Sequence, residues 1–244
     1  LGGYYRFGGA YFMKFFTVEY WRTQSRPAII EDDYFGNHLE WSNNFATPSS
    51  DLLKGSLIYG NKFLRLEPFA SVTNVKNNIY YGYDMKPAQT SSSAQLLSFG
   101  ANLDFKIGKN VFWENEAIYT KITGGSEAVN SFRIPEIFVN SKLYYGGWWF
   151  DKKIYMLFGV DSHYQSEFFA PAYNPTVQQF YLQDDFIMPA YFKADAFLEF
   201  SIDLLSVFLK FEYVNQPASN GYFTHPYYIG QPRIFDAGVR WMFF

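Results

Sequence analysis

The sequence predicts an all-β protein, a transmembrane antiparallel up-and-down β-barrel of about twelve strands that is either complete or part of a larger barrel. Three observations predict it. Aromatic residues make up 23% of the 244 residues, whereas charged residues make up 18%. Polar and apolar residues alternate along much of the chain. No run of about 20 apolar residues, the length of a membrane-spanning helix, occurs anywhere.

The aromatic content indicates a surface that is not exposed to water alone. Soluble proteins carry roughly a quarter of charged residues, and 28 Phe, 21 Tyr and 6 Trp exceed what one packed core requires. A membrane accommodates such a surface, because barrels carry aromatic girdles at both interfaces. The mean hydropathy of -0.18 is compatible with this fold, because lipid-facing residues alternate with polar lumen-facing ones.

The last strand, 233–244, shows the alternation most clearly. One face is apolar and the other carries Asp236, Gly238 and Arg240. The apolar face consists of Phe235, Ala237, Val239, Trp241 and Phe243. The strand ends in the aromatic residues Trp241, Phe243 and Phe244.

The same period predicts the other strands in order. They fall at 4–22, 35–46, 53–60, 62–73, 77–85, 95–107, 111–123, 132–145, 149–163, 191–203, 206–216 and 233–244. If the last strand ends in the periplasm, the periplasmic links are short, near 47–52, 74–76, 108–110, 146–148 and 204–205. The opposite side receives the long links 23–34, 86–94, 164–190 and 217–232, together with 124–131 and the tight Gly60-Asn61 hairpin.

The chain is predicted to be one barrel domain over 1–244, because no linker divides it. Its glycine-rich start, from Gly2 to Gly9, leads into a strand without a turn, so we expect N-terminal strands to be missing. The absence of cysteine excludes disulfides and thiolate metal sites. The net charge of -3 argues against a nucleic-acid surface.

Several segments resemble the putative porin family of Bacteroidota outer membranes. The specific segments are Gly159–Tyr164, Ala170–Pro175, Gln179–Asp184 and Gly238–Phe243, and Asn37–Phe45 resembles an upstream part of the family. The resemblance implies a single-chain outer-membrane barrel with a pore role, of which this chain would be the C-terminal portion. It also implies that the aromatic end formed by Trp241, Phe243 and Phe244 serves as an assembly signal, and it brings no catalytic residues.

Charged residues on the inward face are predicted to line a pore. They are Arg6, Lys14, Glu40, Arg65, Glu67, Asp104, Lys106, Glu114, Glu116, Glu136, Lys142, Lys193, Asp195, Glu199, Lys210, Glu212, Asp236 and Arg240. One interpretation is a hydrated channel whose mixed charges orient polar solutes. The alternative is cross-strand pairing that braces a filled lumen. Acidic residues outnumber basic ones, which predicts a mild cation preference.

The loop from Tyr164 to Pro189 is too apolar to stand free in water. It carries Phe168, Phe169, Tyr173, Gln178, Gln179 and Tyr181, and also Phe180 and Gln183. It is predicted to narrow the pore, with its amides offered to sugars or peptides, or to form a rigid cap, or to be a docking surface for another outer-membrane protein.

Enzymatic and metal chemistry are not predicted. Ser42, His38 and Glu40 are the nearest approach to a hydrolytic triad, but residues spaced at i, i+2 and i+4 along a strand stand about 7 Å apart, beyond hydrogen-bond reach. Asp184 and Asp185 could bind Ca²⁺, although solvated loop acids are commoner. No metal and no cofactor are expected.

The sequence therefore predicts a porin-like channel in a bacterial outer membrane, with its C-terminus in the periplasm, for passive diffusion of small polar solutes. The alternative is a non-conducting structural or accessory subunit of an outer-membrane assembly. Expected partners are outer-membrane lipid and lipopolysaccharide, the barrel assembly machinery during insertion, and other outer-membrane proteins.

Overall fold

The computed structural model describes residues 4–216 and 222–243, in which the regular secondary structure is almost entirely β-strand. In chain order the elements are β1 (Tyr5–Phe12), β2 (Phe16–Gln24), α1 (Ile29–Asp32), β3 (Asp33–Phe35), β4 (Glu40–Ser42), β5 (Ser49–Leu57), β6 (Tyr59–Gly60), β7 (Leu64–Lys76), β8 (Ile79–Tyr81), β9 (Pro87–Gln89), β10 (Ala94–Ile107), β11 (Val111–Gly124), α2 (Ser126–Asn130), β12 (Ile137–Trp149), β13 (Ile154–Gln165), β14 (Ala172–Asn174), β15 (Gln179–Tyr181), β16 (Tyr191–Ile202), β17 (Leu205–Glu212), β18 (Phe223–His225), β19 (Tyr228–Ile229) and β20 (Ile234–Trp241). Neither short helix of the described residues could cross a membrane.

One large sheet forms a wall in which strands follow the chain. Its order is β1-β2-β5-β7-β10-β11-β12-β13-β16-β17-β20, and β6 extends the line of β5 beside β7. All neighbours in the wall are antiparallel. The prediction of an all-β, antiparallel up-and-down sheet is therefore confirmed.

The wall has two faces of opposite character. On β10 the apolar face carries Leu97, Phe99 and Leu103, whereas the polar face carries Ser98 and Asp104. Directly opposed residues of neighbouring strands share a face. We therefore use "apolar face" and "polar face" for these residues of β10 and for the residues that the register places beside them.

Three polar residues of the apolar face, Asn115, Ser141 and Ser162, bond to one another. The Ser141 hydroxyl donates to Asn115 Oδ1 at 2.7 Å, and Ser162 donates to the Ser141 carbonyl at 2.9 Å. Trp113 Nε1 donates to Ser141 Oγ at 2.9 Å. Because these groups are paired, the polar patch avoids the cost of unmade hydrogen bonds in an apolar medium.

Three predicted strands were wrong. The segment 4–22 is two strands, β1 and β2, joined by a turn that the Met13 N–H closes by donating to the Phe16 carbonyl at 2.8 Å. The segments 35–46 and 77–85 contribute only short strands outside the wall. In 35–46, β4 pairs with β3; in 77–85, β8 pairs with β9 and β15.

Connection length alternates regularly between the two ends of the wall. Short turns lie at one end, at 13–15, 61–63, 108–110, 150–153 and 203–204. Long connections lie at the other end, at 25–48, 77–93, 125–136, 166–190 and 213–233. The predicted sides of 47–52, 74–76 and the Gly60-Asn61 hairpin were therefore wrong, because the two misassigned strands shifted the count. Gly108 has φ +70, which favours glycine in its turn.

The two outermost strands run in the same direction, because ten antiparallel steps separate β1 from β20. Among the described residues nothing pairs with the outer edge of either strand. A β1–β20 pair would be parallel, unlike every other pair in the wall.

Candidate functional site

Charged and amide side chains form two rows across the polar face of five strands. In the first row, Arg65, Asp104, Glu114, Lys142 and Asp161 stand directly opposite one another from β7 to β13. The second row lies two residues further along each strand and consists of Glu67, Asn102, Glu116, Asn140 and His163. The antiparallel register therefore gathers residues from almost 100 positions of sequence into one patch.

These rows line a groove of about 420 Å³, which we call the polar groove. Hydrogen bonds fix several of its side chains. The Tyr144 hydroxyl donates to Glu114 Oε1 at 2.6 Å, and Asn140 Nδ2 donates to Glu116 Oε2 at 3.3 Å. His163 Nδ1 lies 2.5 Å from Asn140 Oδ1.

The polar groove is acidic. Five carboxylates and two cationic side chains line it, which leaves three negative charges in excess when His163 is neutral. The carboxylates are Glu67, Asp104, Glu114, Glu116 and Asp161, and the cations are Arg65 and Lys142. One pair is neutralised locally, because Arg65 Nη2 lies 3.0 Å from Glu67 Oε2. The remaining charge favours cations near this surface.

A second charged cluster, which we call the charge quartet, lies at the long-connection end of β16 and β17. Asp195 is 2% exposed, and its Oδ2 accepts from Lys193 at 3.1 Å and from Lys210 at 3.2 Å. Both lysines also reach Glu212, at 3.4 and 2.8 Å. Asp195 Oδ1 accepts the Tyr213 N–H at 2.9 Å. The quartet is neutral and joins two strands.

The structure places fifteen of the eighteen predicted pore-lining residues on the polar face of the wall. These are Arg6, Arg65, Glu67, Asp104, Lys106, Glu114, Glu116, Lys142, Lys193, Asp195, Glu199, Lys210, Glu212, Asp236 and Arg240. Only some of them share the polar groove, while four form the charge quartet.

The other three predicted positions lie off the wall strands. Lys14 is in the short turn between β1 and β2, with its ammonium 5.4 Å from the centre of the Phe15 ring. Glu40 is on β4, away from the wall, because its segment pairs with β3. Glu136 lies at the rim just before β12, where its carbonyl accepts the Thr120 N–H at 2.8 Å.

Sequence reasoning missed three charged residues of the polar face. Asp161 lies in the first row of the polar groove, and Glu19 and Lys54 oppose each other on β2 and β5. Asp161 could have been found, because it alternates with Val160 and Ser162 in a predicted strand. Glu19 was hidden by the error that merged β1 with β2.

The long connections pack into one cap over their end of the wall. Strands of two connections form a four-stranded sheet in the order β14-β15-β8-β9. In it, Tyr181 of β15 pairs in parallel with Tyr81 of β8. Trp41, Tyr81 and Val177 form a buried cluster from three connections, and the Trp41 indole N–H donates to the Ile30 carbonyl at 2.8 Å. Burial raises the pKa of Tyr81 to about 12.

Arg133 and Asp184 join three of the long connections. Arg133 Nη2 lies 2.8 Å from Asp184 Oδ1, and the Tyr83 hydroxyl donates to Asp184 Oδ2 at 2.7 Å. The hydrogen bond to Asp184 raises the pKa of Tyr83. Asp184 is therefore engaged by a cation and a hydroxyl, and the described residues contain no group of three or more His, Cys, Asp or Glu that could hold a metal.

Glu127 ties α2 to the connection 77–93. Its Oε2 accepts from the Ser91 hydroxyl at 2.7 Å and from the Ser91 N–H at 3.2 Å, and its Oε1 accepts from Tyr80 at 3.4 Å. The hydrogen bonds from Ser91 lower the pKa of the Glu127 carboxyl. Neighbouring connections are thus fastened side by side.

The loop residues singled out in the sequence all lie in this cap. Phe168 pairs with Met188, Phe169 lies beneath the Arg133 guanidinium at 5.8 Å, and Tyr173 packs on Phe180. Gln178 has φ +56 in the turn before β15; Gln179 and Tyr181 are in β15 itself. Gln183 is not available to a solute, because it is 5% exposed and its amide bonds the backbone of Ala170 and Phe186.

The hydrolytic candidate does not form a triad. The Ser42 hydroxyl donates to Asp33 Oδ1 at 2.7 Å, which fastens β4 to β3. His38 is exposed in the turn between those two strands. At the chain's end, Trp241 and Phe243 stack with ring centres 5.7 Å apart, while Phe244 of the predicted assembly signal lies outside the described residues.

A family model described as "Putative porin" matches residues 3–244 of the chain. No curated protein sequence matches it. The match extends over both the wall and the cap.

Solved structures of outer-membrane receptors share the fold. The pyoverdine outer membrane receptor of Pseudomonas aeruginosa is 15% identical, with a TM-score of 0.65, 97% of this chain covered and 35% of that chain. The FrpB iron transporter of Neisseria meningitidis is 10% identical, with a TM-score of 0.63 and coverages of 97% and 38%. The ferric yersiniabactin uptake receptor of Yersinia pestis is 10% identical, with a TM-score of 0.61 and coverages of 98% and 37%. The chain therefore spans about a third of their length and has the fold of an outer-membrane barrel wall.

Proposed function

Because the chain belongs to the "Putative porin" family, we propose that its wall lines an outer-membrane channel for the passive diffusion of small polar solutes. The polar groove carries the proposal, since a wall that is apolar on one face presents a continuous patch of carboxylates and amides on the other. Transmembrane barrels have this division between a lipid-facing band and a polar interior. A non-enzymatic transport role agrees with the family.

We propose that one barrel domain over 1–244 contributes to a larger closed wall. A spanning sheet cannot leave unpaired edges in lipid, and β1 and β20 run in the same direction. An odd number of further strands would close the wall with antiparallel pairs alone. The Bacteroidota source and the C-terminal place within the family are expectations that the sequence resemblance supports.

We propose that the long connections face the cell exterior and that the C-terminus lies in the periplasm. Outer-membrane barrels have short periplasmic turns and longer extracellular loops, and the five turns and five long connections separate in this way. In this orientation β20, with Trp241 and Phe243 at its end, presents the strand that the barrel assembly machinery would receive.

The proposed channel prefers cations, because the polar groove carries three negative charges in excess. Planar-bilayer recordings of the full-length protein in a salt gradient test this. We expect channels with a reversal potential on the cation-selective side. A persistent absence of channels would refute the porin proposal, and an anion-selective reversal potential would refute the cation preference alone.

A second candidate is a non-conducting structural or accessory subunit, which the cap favours. Phe180 is 45% exposed, its ring stacks on His225 at 4.9 Å, and a cleft of about 230 Å³ opens between Tyr173 and Tyr228. Exposed aromatic surface of this kind is typical of contacts with other proteins. Stoichiometric partners that co-purify with the protein, together with silent bilayers, would support this candidate over the channel.

A further inference from the structure

We propose that the apolar face of β2, β5 and β7 binds one lipopolysaccharide molecule, with an acyl chain over Gly55 and a lipid phosphate at Arg22 and Lys76. This inference rests on the proposed function, in which the apolar face contacts lipid and the long connections face outward. It adds a defined lipid site on one sector of the wall.

The acyl site is a cleft of about 540 Å³ on the apolar face, lined almost entirely by apolar atoms. Gly55 forms its floor, and a Cβ added there would have no atom within 4 Å. Apolar side chains on the same three strands surround this opening, namely Phe16, Val18, Leu57, Pro68 and Ala70. Such a volume is in the range of sites for small apolar ligands.

Cationic side chains stand on the same face toward the long-connection end. Arg22 lies four residues along β2 from Val18, which opposes Gly55, and hence about 13 Å above the cleft. Its guanidinium is 3.5 Å from Asp51, and the Arg22 side chain is 47% exposed, so it is accessible to a lipid phosphate. Lys76, at the end of β7, is exposed, and its ammonium group has neither an ion pair nor a hydrogen bond within the described part of the chain.

The spacing of the two features matches a phosphorylated acyl lipid. An anionic phosphate is attracted to Lys and Arg at the membrane surface, while an acyl chain fills apolar surface deeper in the bilayer. In the proposed orientation the cations lie at the outer leaflet, where lipopolysaccharide supplies phosphates at the headgroup. The charge and the depth together select this lipid over a neutral one.

Native mass spectrometry of the full-length protein titrated with rough lipopolysaccharide tests the site. Gly55→Leu would fill the cleft, and we expect at least about tenfold weaker binding, the effect of uncovering roughly two methylene groups. The double variant Arg22→Gln/Lys76→Gln is expected to bind about 30-fold more weakly. Lys76→Gln alone removes a charge without breaking any internal pair, so its weaker binding would not reflect misfolding.

Two matched variants control for general effects. Gly9→Leu adds a side chain at another open glycine of the apolar face, on β1, and Lys121→Gln removes an exposed cation of the same face on β11. Both are expected to bind lipopolysaccharide as the natural protein does. Enzymatically dephosphorylated lipid should bind the natural protein and the double variant equally.

The site would be overturned if Gly55→Leu or the double variant bound lipopolysaccharide as tightly as the natural protein does. It would also be overturned if the natural protein bound phosphatidylglycerol and lipopolysaccharide equally well. Conductance recorded on the same preparations separates this result from the proposed function. Channels without selective lipid binding would refute only the lipid site. Selective lipid binding without channels would refute only the porin proposal.

Discussion

Replacing Asp195 with asparagine tests whether the charge quartet braces the wall. Asp195→Asn keeps an oxygen for the Tyr213 N–H but removes the charge that two lysines share at 3.1 and 3.2 Å. Both ammonium groups would then depend on Glu212. Breaking a buried pair by removing one partner costs about 3–5 kcal/mol. Because Lys193 and Lys210 are 21% and 38% exposed, water screens part of this cost, and we expect a loss of about 2–4 kcal/mol.

The assay is urea unfolding of the protein folded into lipid vesicles, followed by tryptophan fluorescence. Glu199→Gln is the matched control, because Glu199 lies on the polar face of the same strand and its carboxylate makes no ion pair or hydrogen bond within the described residues. We expect its free energy of unfolding to stay within about 0.5 kcal/mol of the natural value. If Asp195→Asn unfolds at the same urea concentration as Glu199→Gln, the quartet does not stabilise the wall.

Three further predictions address the polar groove and the cap. Glu114→Gln removes one of the excess charges of the polar groove, so the reversal potential should move toward zero, whereas an unchanged potential would place the groove outside the ion path. Because the pKa of Glu127 is lowered from 4.5, its contribution to stability is present above that value and is lost as the pH falls through the folded pKa. In the natural protein, the amides of connection 77–93 should therefore lose protection from hydrogen exchange when the pH is lowered from 7 to acidic values. In Glu127→Gln this pH-dependent loss of protection should be absent; an equal loss in both proteins would contradict the prediction. Deleting 170–185 removes β14 and β15, and a raised single-channel conductance would show that the cap narrows the pore, while an unchanged value would exclude a constriction there.

Strand prediction succeeded for the long strands of the wall, where one face of the strand is apolar and the other is polar over most of its length. It failed at 35–46 and 77–85, because the short strands of the cap show the same period-two alternation of polar and apolar residues. Trp41 and Tyr81 are buried among other connections, and a period-two pattern cannot tell a lipid-covered face from a loop-covered one. The merged segment 4–22 carried a signal that was overlooked. Nineteen extended residues would span about 60 Å, more than twice the apolar band of about 25 Å in such barrels.

The candidate site was predictable in composition but not in arrangement. Alternation places Asp104 and Glu114 on the polar face, yet only the register shows that Asp104 stands opposite Glu114 and that Glu114 in turn stands opposite Lys142. The pair of Arg133 with Asp184 had no sequence signal, because it joins two connections whose packing depends on every strand between them. Long-range pairing of this kind follows from topology, and the two misassigned strands had distorted the topology.

The distinction between paired and unpaired charge changes what a charge count means for selectivity. Lys193, Asp195, Lys210 and Glu212 all lie on the polar face, but they neutralise one another within 3.4 Å and exert little net field on a passing ion. The polar groove differs, because most of its carboxylates have hydroxyl, amide or solvent neighbours rather than cations. Asp195→Asn should therefore affect stability far more than the reversal potential, and Glu114→Gln should do the reverse. If both variants changed both quantities equally, the separation of a bracing cluster from an ion-facing surface would fail.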